Sequence, residues 1–95
     1  MTVDRIFETV AKKYGVSVED IKGSRRSKEI AQARHTAVYI IRQVTDLSLK
    51  SIGRILNRDH TTMLSSIETL ETKIKEDPVT EQEIADLLAD IKKDM

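Results

Sequence analysis

The feature that most constrains the fold is the spacing of apolar residues, which recur every three or four positions along most of the chain. Val3, Ile6, Phe7 and Val10 show this spacing near the start. It is the spacing of one face of an α-helix, and no stretch alternates apolar and polar residues as a half-buried strand does. The sequence therefore predicts an all-α fold, in which amphipathic helices share one core.

Capping residues between the apolar stripes predict where the helices begin and end. Gly15 and Gly23 are natural stops. Ser17, Ser27 and Ser48 stand where a hydroxyl can accept a hydrogen bond from the free amides of a first helical turn. These signals predict two short helices, then a longer one from Ser27, and a fourth from Ser48.

The second half of the chain continues in the same way. Asn57 is a predicted left-handed stop, because asparagine tolerates positive φ, and Asp59 restarts the helix at once. Asp77-Pro78 ends that segment, and residues 80–83, Thr-Glu-Gln-Glu, match a capping box for a last helix. We therefore expect a compact bundle of about six helices, forming a single domain over residues 1–95.

Apolar residues in the two helices around Asn57 are expected to face the core. Ile55 belongs to the stripe of the shorter helix, and Leu64 lies beside the stripe that begins at Met63. Two short helices joined by a tight turn match a helix-turn-helix, here at about residues 49–75.

The formal net charge is zero, but the charges are segregated along the chain. Residues 22–60 carry nine basic and three acidic side chains, whereas residues 61–95 carry four basic and nine acidic ones. A basic centre beside an acidic end indicates a positive face for a polyanion.

Composition excludes several other classes of function. The chain contains no cysteine, so disulfides, thiolate zinc sites and cysteine catalysis are excluded. Its two histidines, without a convergent set of carboxylates, do not indicate a metal site, and no nucleophile stands beside a base at an interpretable spacing. We expect no enzyme activity, no cofactor and no membrane segment in this domain, and cytoplasm is the default location, in association with the nucleoid.

The start of the second helix of the helix-turn-helix carries side chains suited to reading bases. Asp59, His60, Thr61 and Thr62 precede the first core residue of that helix. Threonine methyls suit the thymine methyl group, histidine can donate to purine acceptors, and aspartate can accept from cytosine while capping its helix. Asp59 could also serve only as a cap.

Five short motifs are spread along the chain: Ser24-Arg25-Arg26-Ser27, Ala33-Arg34-His35, Ser48-Leu49, Ile52-Gly53 and Arg58-Asp59-His60-Thr61-Thr62. With these motifs the chain resembles the C-terminal DNA-binding domain of the DnaA family of bacterial chromosomal replication initiators. The similarity covers nearly the whole chain, and the most specific motif is the Arg-Asp-His-Thr-Thr run.

The resemblance implies a fold related to Trp repressor and binding to short asymmetric boxes in double-stranded DNA, at the replication origin and elsewhere, as a monomer per box. In the family this domain follows an AAA+ module that uses ATP and magnesium. The phosphate-binding loop of such a module is absent from these 95 residues, so we expect an excised domain.

The resemblance also assigns roles to individual residues. It implies that Arg26 enters the minor groove, that residues 59–62 read the major groove, and that Arg34 and Arg42 hold phosphates. The complete predicted DNA-binding set is Arg25, Arg26, Arg34, His35, Arg42, Leu49, Lys50, Arg58, Asp59, His60, Thr61 and Thr62.

Two departures from the family pattern affect these assignments. His35 stands where the family often has glutamine, and Leu56-Asn57 replaces a Phe-Gly-Gly before Arg58, one residue shorter. Asn57 would then supply the conformation that a glycine normally supplies.

Two other functions stay open from the sequence. A helical protein-interaction module could dock a basic partner on its acidic C-terminal helix. A free-standing, repressor-like transcription regulator would share the DNA-binding surface and differ in its context.

Overall fold

The computed structural model describes residues 3–93, which form six α-helices and no strand. The all-α prediction of about six helices is confirmed. No helix within residues 3–93 is long and apolar enough to cross a membrane. The helices are α1 (Val3–Tyr14), α2 (Val18–Lys22), α3 (Lys28–Val44), α4 (Leu49–Leu56), α5 (His60–Glu76) and α6 (Pro78–Lys93).

Helix α3 is the central element, since it contacts all five other helices. Its buried face includes Ala33, Ala37, Ile40 and Ile41, and small alanines let neighbouring helices approach closely. Each fully buried isoleucine or phenylalanine stabilises the fold by about 1.5–3 kcal/mol. The resulting core holds α4 and α5, the predicted helix-turn-helix, against α3.

The predicted serine caps are confirmed. Ser17 Oγ accepts from the amide of Asp20 at 3.0 Å, and Ser27 Oγ accepts from Ile30 at 3.2 Å. Ser48 Oγ accepts from the Ser51 amide at 3.1 Å. Each bond satisfies a first-turn amide that has no partner inside its helix, which stabilises the helix by about 1 kcal/mol.

The start of α6 differs from the prediction. The helix begins at Pro78, and Asp77 is the cap: its Oδ1 accepts from the Val79 amide at 3.0 Å, and Thr80 Oγ1 donates to its Oδ2 at 2.9 Å. Proline suits the first helical position because its missing N–H would have had no partner there. Thr80 is therefore buried inside the first turn, and the capping box predicted for residues 80–83 is wrong.

Two apolar residues expected in the core are instead exposed, Leu64 by 44% and Ile55 by 36%. The inward face of α5 is defined by Met63, Ile67 and Leu70. Leu64 lies roughly 100° around the helix from Met63, outside that face. Ile55 is similarly displaced from the inward face of α4, so both side chains meet solvent.

Candidate nucleic-acid interface

The turn between α4 and α5 is built around Asn57, the one non-glycine residue with positive φ (55°) within residues 3–93. The Asn57 amide donates to Arg54 O at 3.2 Å, and the Arg58 amide donates to Gly53 O at 2.8 Å. These two bonds form a Schellman motif, which satisfies the last carbonyls of α4. The prediction that Asn57 supplies a glycine-like conformation in a shortened turn is confirmed.

Gly53 allows the chain to fold back this tightly. It is buried in α4, and a Cβ built on it would overlap the Arg58 carbonyl oxygen and lie 3.4 Å from the Asp59 carbonyl carbon. From the sequence, Gly53 is part of a motif but has no predicted role. A glycine inside a helical stripe is a recognisable signal of close backbone approach.

Asp59 caps α5. Its Oδ1 accepts from the Thr62 amide and from the Thr62 hydroxyl, both at 2.8 Å. The backbone bond from Thr62 and then the hydroxyl bond hold the pKa of the Asp59 carboxyl below its usual value. The Asp59 and Thr62 side chains are exposed but already bonded to each other. The four predicted base-reading residues therefore differ in how free their polar groups are.

His60 and Thr61 occupy the first two positions of α5 and are exposed. Within residues 3–93, neither side chain forms a hydrogen bond to the protein. Their donors and acceptors are therefore available to an external partner. They stand at a helix N-terminus, where unsatisfied amides and the helix dipole favour negative charge nearby.

A second exposed basic element is the loop from Ser24 to Ser27, which joins α2 to α3 and carries Arg25 and Arg26. Arg25 Nη1 lies 3.8 Å from Asp20 Oδ1, but its side chain is 78% exposed, so this ion pair contributes little. Arg26 is also exposed. The loop thus presents two guanidinium groups on one short segment.

Arg34 does not join this exposed set. It is 8% exposed. Its Nε donates to Ile21 O at 2.7 Å, and its Nη2 donates to the carbonyls of Asp20, Gly23 and Arg25, each at 3.0 Å. Burial, and then the nearby charges of Arg58 and Arg26, lower the pKa of Arg34. The structure thus gives Arg34 an internal role that the sequence did not predict, which is to hold the end of α2 and the basic loop; its phosphate contact stays a prediction.

Arg58 is half-buried and is also used internally. Its Nη1 donates to Leu56 O at 2.8 Å and to Lys22 O at 3.4 Å, and its Nη2 donates to Gly23 O. The guanidinium thus bridges the helix-turn-helix turn and the end of α2. The sequence predicted Arg58 as a DNA contact and contained no signal for this bridge, because Lys22 O and Gly23 O are more than thirty positions away.

The other predicted residues are distributed over the surface of α3 and α4. Arg42 is exposed and donates from Nη1 to Leu47 O at 2.8 Å, leaving its other donors free. Lys50 is exposed at the second position of α4, whereas Leu49 packs partly against the core.

His35 is half-buried on α3, and its Nδ1 is buried without a hydrogen-bond partner within residues 3–93. Burial, followed by the charges of Arg34 and Lys73, lowers the pKa of His35. A lowered pKa favours the neutral imidazole near pH 7, in which one ring nitrogen donates and the other accepts.

Comparison with known proteins places this architecture in a family. A family model described as the bacterial dnaA protein helix-turn-helix matches residues 3–70. The chain is 39% identical over 92 residues to the chromosomal replication initiator protein DnaA of Thermoanaerobacter sp. (strain X514), and equally to that of Caldanaerobacter subterraneus subsp. tengcongensis. These matches cover 97% of this chain and 21% of each relative, so the chain spans about a fifth of their length.

A solved structure agrees with the sequence comparison. The crystal structure of a DNA replication initiation factor superposes with a TM-score of 0.83 at 35% identity, covering 93% of this chain and 27% of the other. The sequence and fold comparisons thus agree, and the chain belongs to the bacterial DnaA helix-turn-helix family.

Proposed function

We propose that this chain binds double-stranded DNA sequence-specifically, at boxes of the replication origin, and as a monomer on each box. Relatives that share its sequence are named chromosomal replication initiator proteins, which is the ground for placing the DNA at an origin. No phosphate-binding loop occurs in the 95 residues, so a nucleotide-dependent step would reside outside them.

The observation that carries the proposal is that the N-terminus of α5 presents exposed polar side chains with no hydrogen bond to the protein within residues 3–93. A capped, rigid helix presents His60 and Thr61 with uncommitted polar groups, whereas the core begins only at Met63. An α-helix fits the major groove, and residues at its N-terminus are those that reach base edges. The exposed Arg26 on the neighbouring loop would enter a narrow minor groove, where the negative potential is strongest.

Selection of bound duplexes from a random pool tests the proposal directly. We expect one enriched asymmetric box and an affinity that falls steeply with salt, because phosphate contacts release counterions. Saturable binding to a basic protein, with no preference among duplexes, would instead support an interaction module that docks its partner on the acidic C-terminal helix.

Replacing His60 or Thr61 with alanine is expected to weaken binding to the selected box by about 1–3 kcal/mol each, because each removes groups at base-edge height. Binding to scrambled duplex should be almost unchanged. Competition titrations with the two duplexes measure both quantities. Thr72→Ala is the matched control, since Thr72 is exposed on nearly the same face of α5 but about 16 Å further along the axis. Equal losses on both duplexes would show that His60 and Thr61 are not readers.

Arg26→Ala and Arg42→Ala are expected to change DNA binding in different ways. Arg26→Ala should relax base preference at one end of the box, because a minor-groove arginine responds to groove width and A·T content. Arg42→Ala should weaken all duplexes alike and reduce the salt slope by about one unit, as expected for a phosphate contact. Repeating the duplex selection with each variant distinguishes them. An unchanged selected sequence with Arg26→Ala would assign Arg26 to a phosphate instead.

A further inference from the structure

Two guanidinium groups, from two different elements of the fold, donate to the same carbonyl oxygen. Arg34 Nη2, from α3, donates to Gly23 O at 3.0 Å, and Arg58 Nη2, from the α4–α5 turn, donates to the same atom. We call Arg34 and Arg58 with their shared acceptor, Gly23 O, the arginine clamp. The two positively charged guanidinium groups repel each other, and this repulsion contributes to the lowered pKa of Arg34. Carbonyl groups at the end of α2 offset that repulsion, because they carry partial negative charge.

The clamp joins the two surfaces that the proposed function assigns to DNA. On one side, Arg34 also holds Arg25 O, inside the loop that carries Arg26. On the other side, Arg58 also holds Leu56 O, in the turn directly before the Asp59 cap of α5. The basic loop and the recognition helix are therefore connected through four side-chain-to-backbone bonds.

These contacts explain why an arginine fits position 58 better than a lysine. The planar guanidinium reaches Leu56 O and Gly23 O at once from two nitrogens, with Lys22 O at 3.4 Å. A lysine has one nitrogen on a flexible stem and cannot keep the same fork geometry. Both Nη atoms of Arg58 already donate to the protein, so a phosphate would compete with these carbonyls for them.

We propose that Arg58 is a positioning residue: through the arginine clamp it sets the spacing between the Ser24–Ser27 loop and the N-terminus of α5, so that both engage one box in a single register. This inference rests on the proposed function for its consequence in DNA binding. Its structural half, the coupling of loop and turn, holds without DNA.

The first experiment compares Arg58→Lys with the wild-type protein on variants of the selected box. The wild-type protein should lose affinity when base pairs are changed either at the minor-groove end or under α5. In Arg58→Lys, changing base pairs at the minor-groove end should cost about fivefold less affinity, or still less, than it does in the wild-type protein, because the loop no longer keeps its register. Changing base pairs under α5 should cost as much affinity as in the wild-type protein. A general loss of stability would lower binding to all boxes alike and would not change this ratio.

A phosphate contact from Arg58 predicts a different pattern. Arg58→Lys would then keep the wild-type selectivity, since lysine keeps the charge, and Arg58→Gln would weaken all duplexes alike with a salt slope reduced by about one unit. That pair of results would overturn the positioning role.

The second experiment needs no DNA. Because the sequence contains no cysteine, spin labels can be placed at Ser24→Cys and Ser65→Cys, two exposed positions on the loop and on α5. Arg58→Lys and Arg58→Gln should each broaden the distance distribution between the labels. A control pair at Glu29→Cys and Ser65→Cys, which bypasses the loop, should keep the wild-type width.

The two experiments separate the possible failures. If the wild-type protein selects no box while the label distances respond to Arg58, the proposed function fails and the clamp stands. Label distances that are unchanged in folded Arg58→Lys and Arg58→Gln, judged by circular dichroism, would overturn the clamp whatever the DNA results.

Discussion

An Arg34→Ala variant is expected to unfold with a free energy about 3 kcal/mol below that of the wild-type protein, as judged by urea titration. The wild-type side chain makes four hydrogen bonds to carbonyl groups, and it is 8% exposed. Hydrogen bonds from a charged donor contribute more than neutral ones, and acceptors left without partners in a buried setting carry a desolvation cost. Relief of the repulsion from Arg58 offsets part of this loss.

Arg42→Ala is the control for that experiment. Arg42 lies on the same helix and carries the same charge, but it is exposed and makes a single bond, to Leu47 O. Its removal should change the unfolding free energy by less than about 1 kcal/mol. If Arg34→Ala were no more destabilising than Arg42→Ala, Arg34 would not be a structural residue.

A Gly53→Ala variant is expected to lose about 2–3 kcal/mol of stability and much of its preference for the selected box. The added methyl would overlap the Arg58 carbonyl oxygen, which belongs to backbone and cannot rotate away. The turn must therefore open, and α5 must shift relative to α4. This loss exceeds the roughly 1 kcal/mol that alanine gains over glycine inside a helix. Urea titration and competition between selected and scrambled duplexes measure the two effects.

Gly15→Ala provides the matched control. Gly15 has a φ of 67°, so alanine is strained there, but nothing lies within 4 Å of the position that its Cβ would occupy. It should cost about 1 kcal/mol in stability through backbone strain alone and leave box preference intact. Equal behaviour of the two variants would show that steric overlap at the α4–α5 turn is not the reason for Gly53.

Most helix boundaries follow from local physics, and the sequence predicted them for that reason. Ser17, Ser27 and Ser48 cap helices because a hydroxyl reaches an amide three positions ahead, whatever the rest of the chain does. Asn57 ends α4 by a conformation that its own side chain tolerates. The one wrong boundary was also local: Asp77 with Pro78 and Thr80 with its glutamate both offered a start, and the earlier start was the one adopted.

Burial was less predictable than helix formation. Leu64 and Ile55 have the composition of core residues, but the face of a helix that turns inward is decided by its neighbours. Apolar spacing defines a stripe of limited width, and residues at its edge can lie on either side of the boundary.

By itself, the sequence determined the six-helix class, most of the caps, and the polar α5 N-terminus with His60 and Thr61, because each depends on residues a few positions apart. Only the tertiary structure decided how the basic residues divide their roles. Arg34 and Arg58 resemble Arg26 and Arg42 in chemistry, but the Arg34 guanidinium is held by carbonyls nine to fourteen positions away. Arg58 binds the nearby Leu56 O and also two carbonyls of the α2 end, thirty-five and thirty-six positions away. Such acceptors come within reach only when α2, α3 and the α4–α5 turn pack together, so no local pattern could separate an arginine that binds the protein from one left free for DNA.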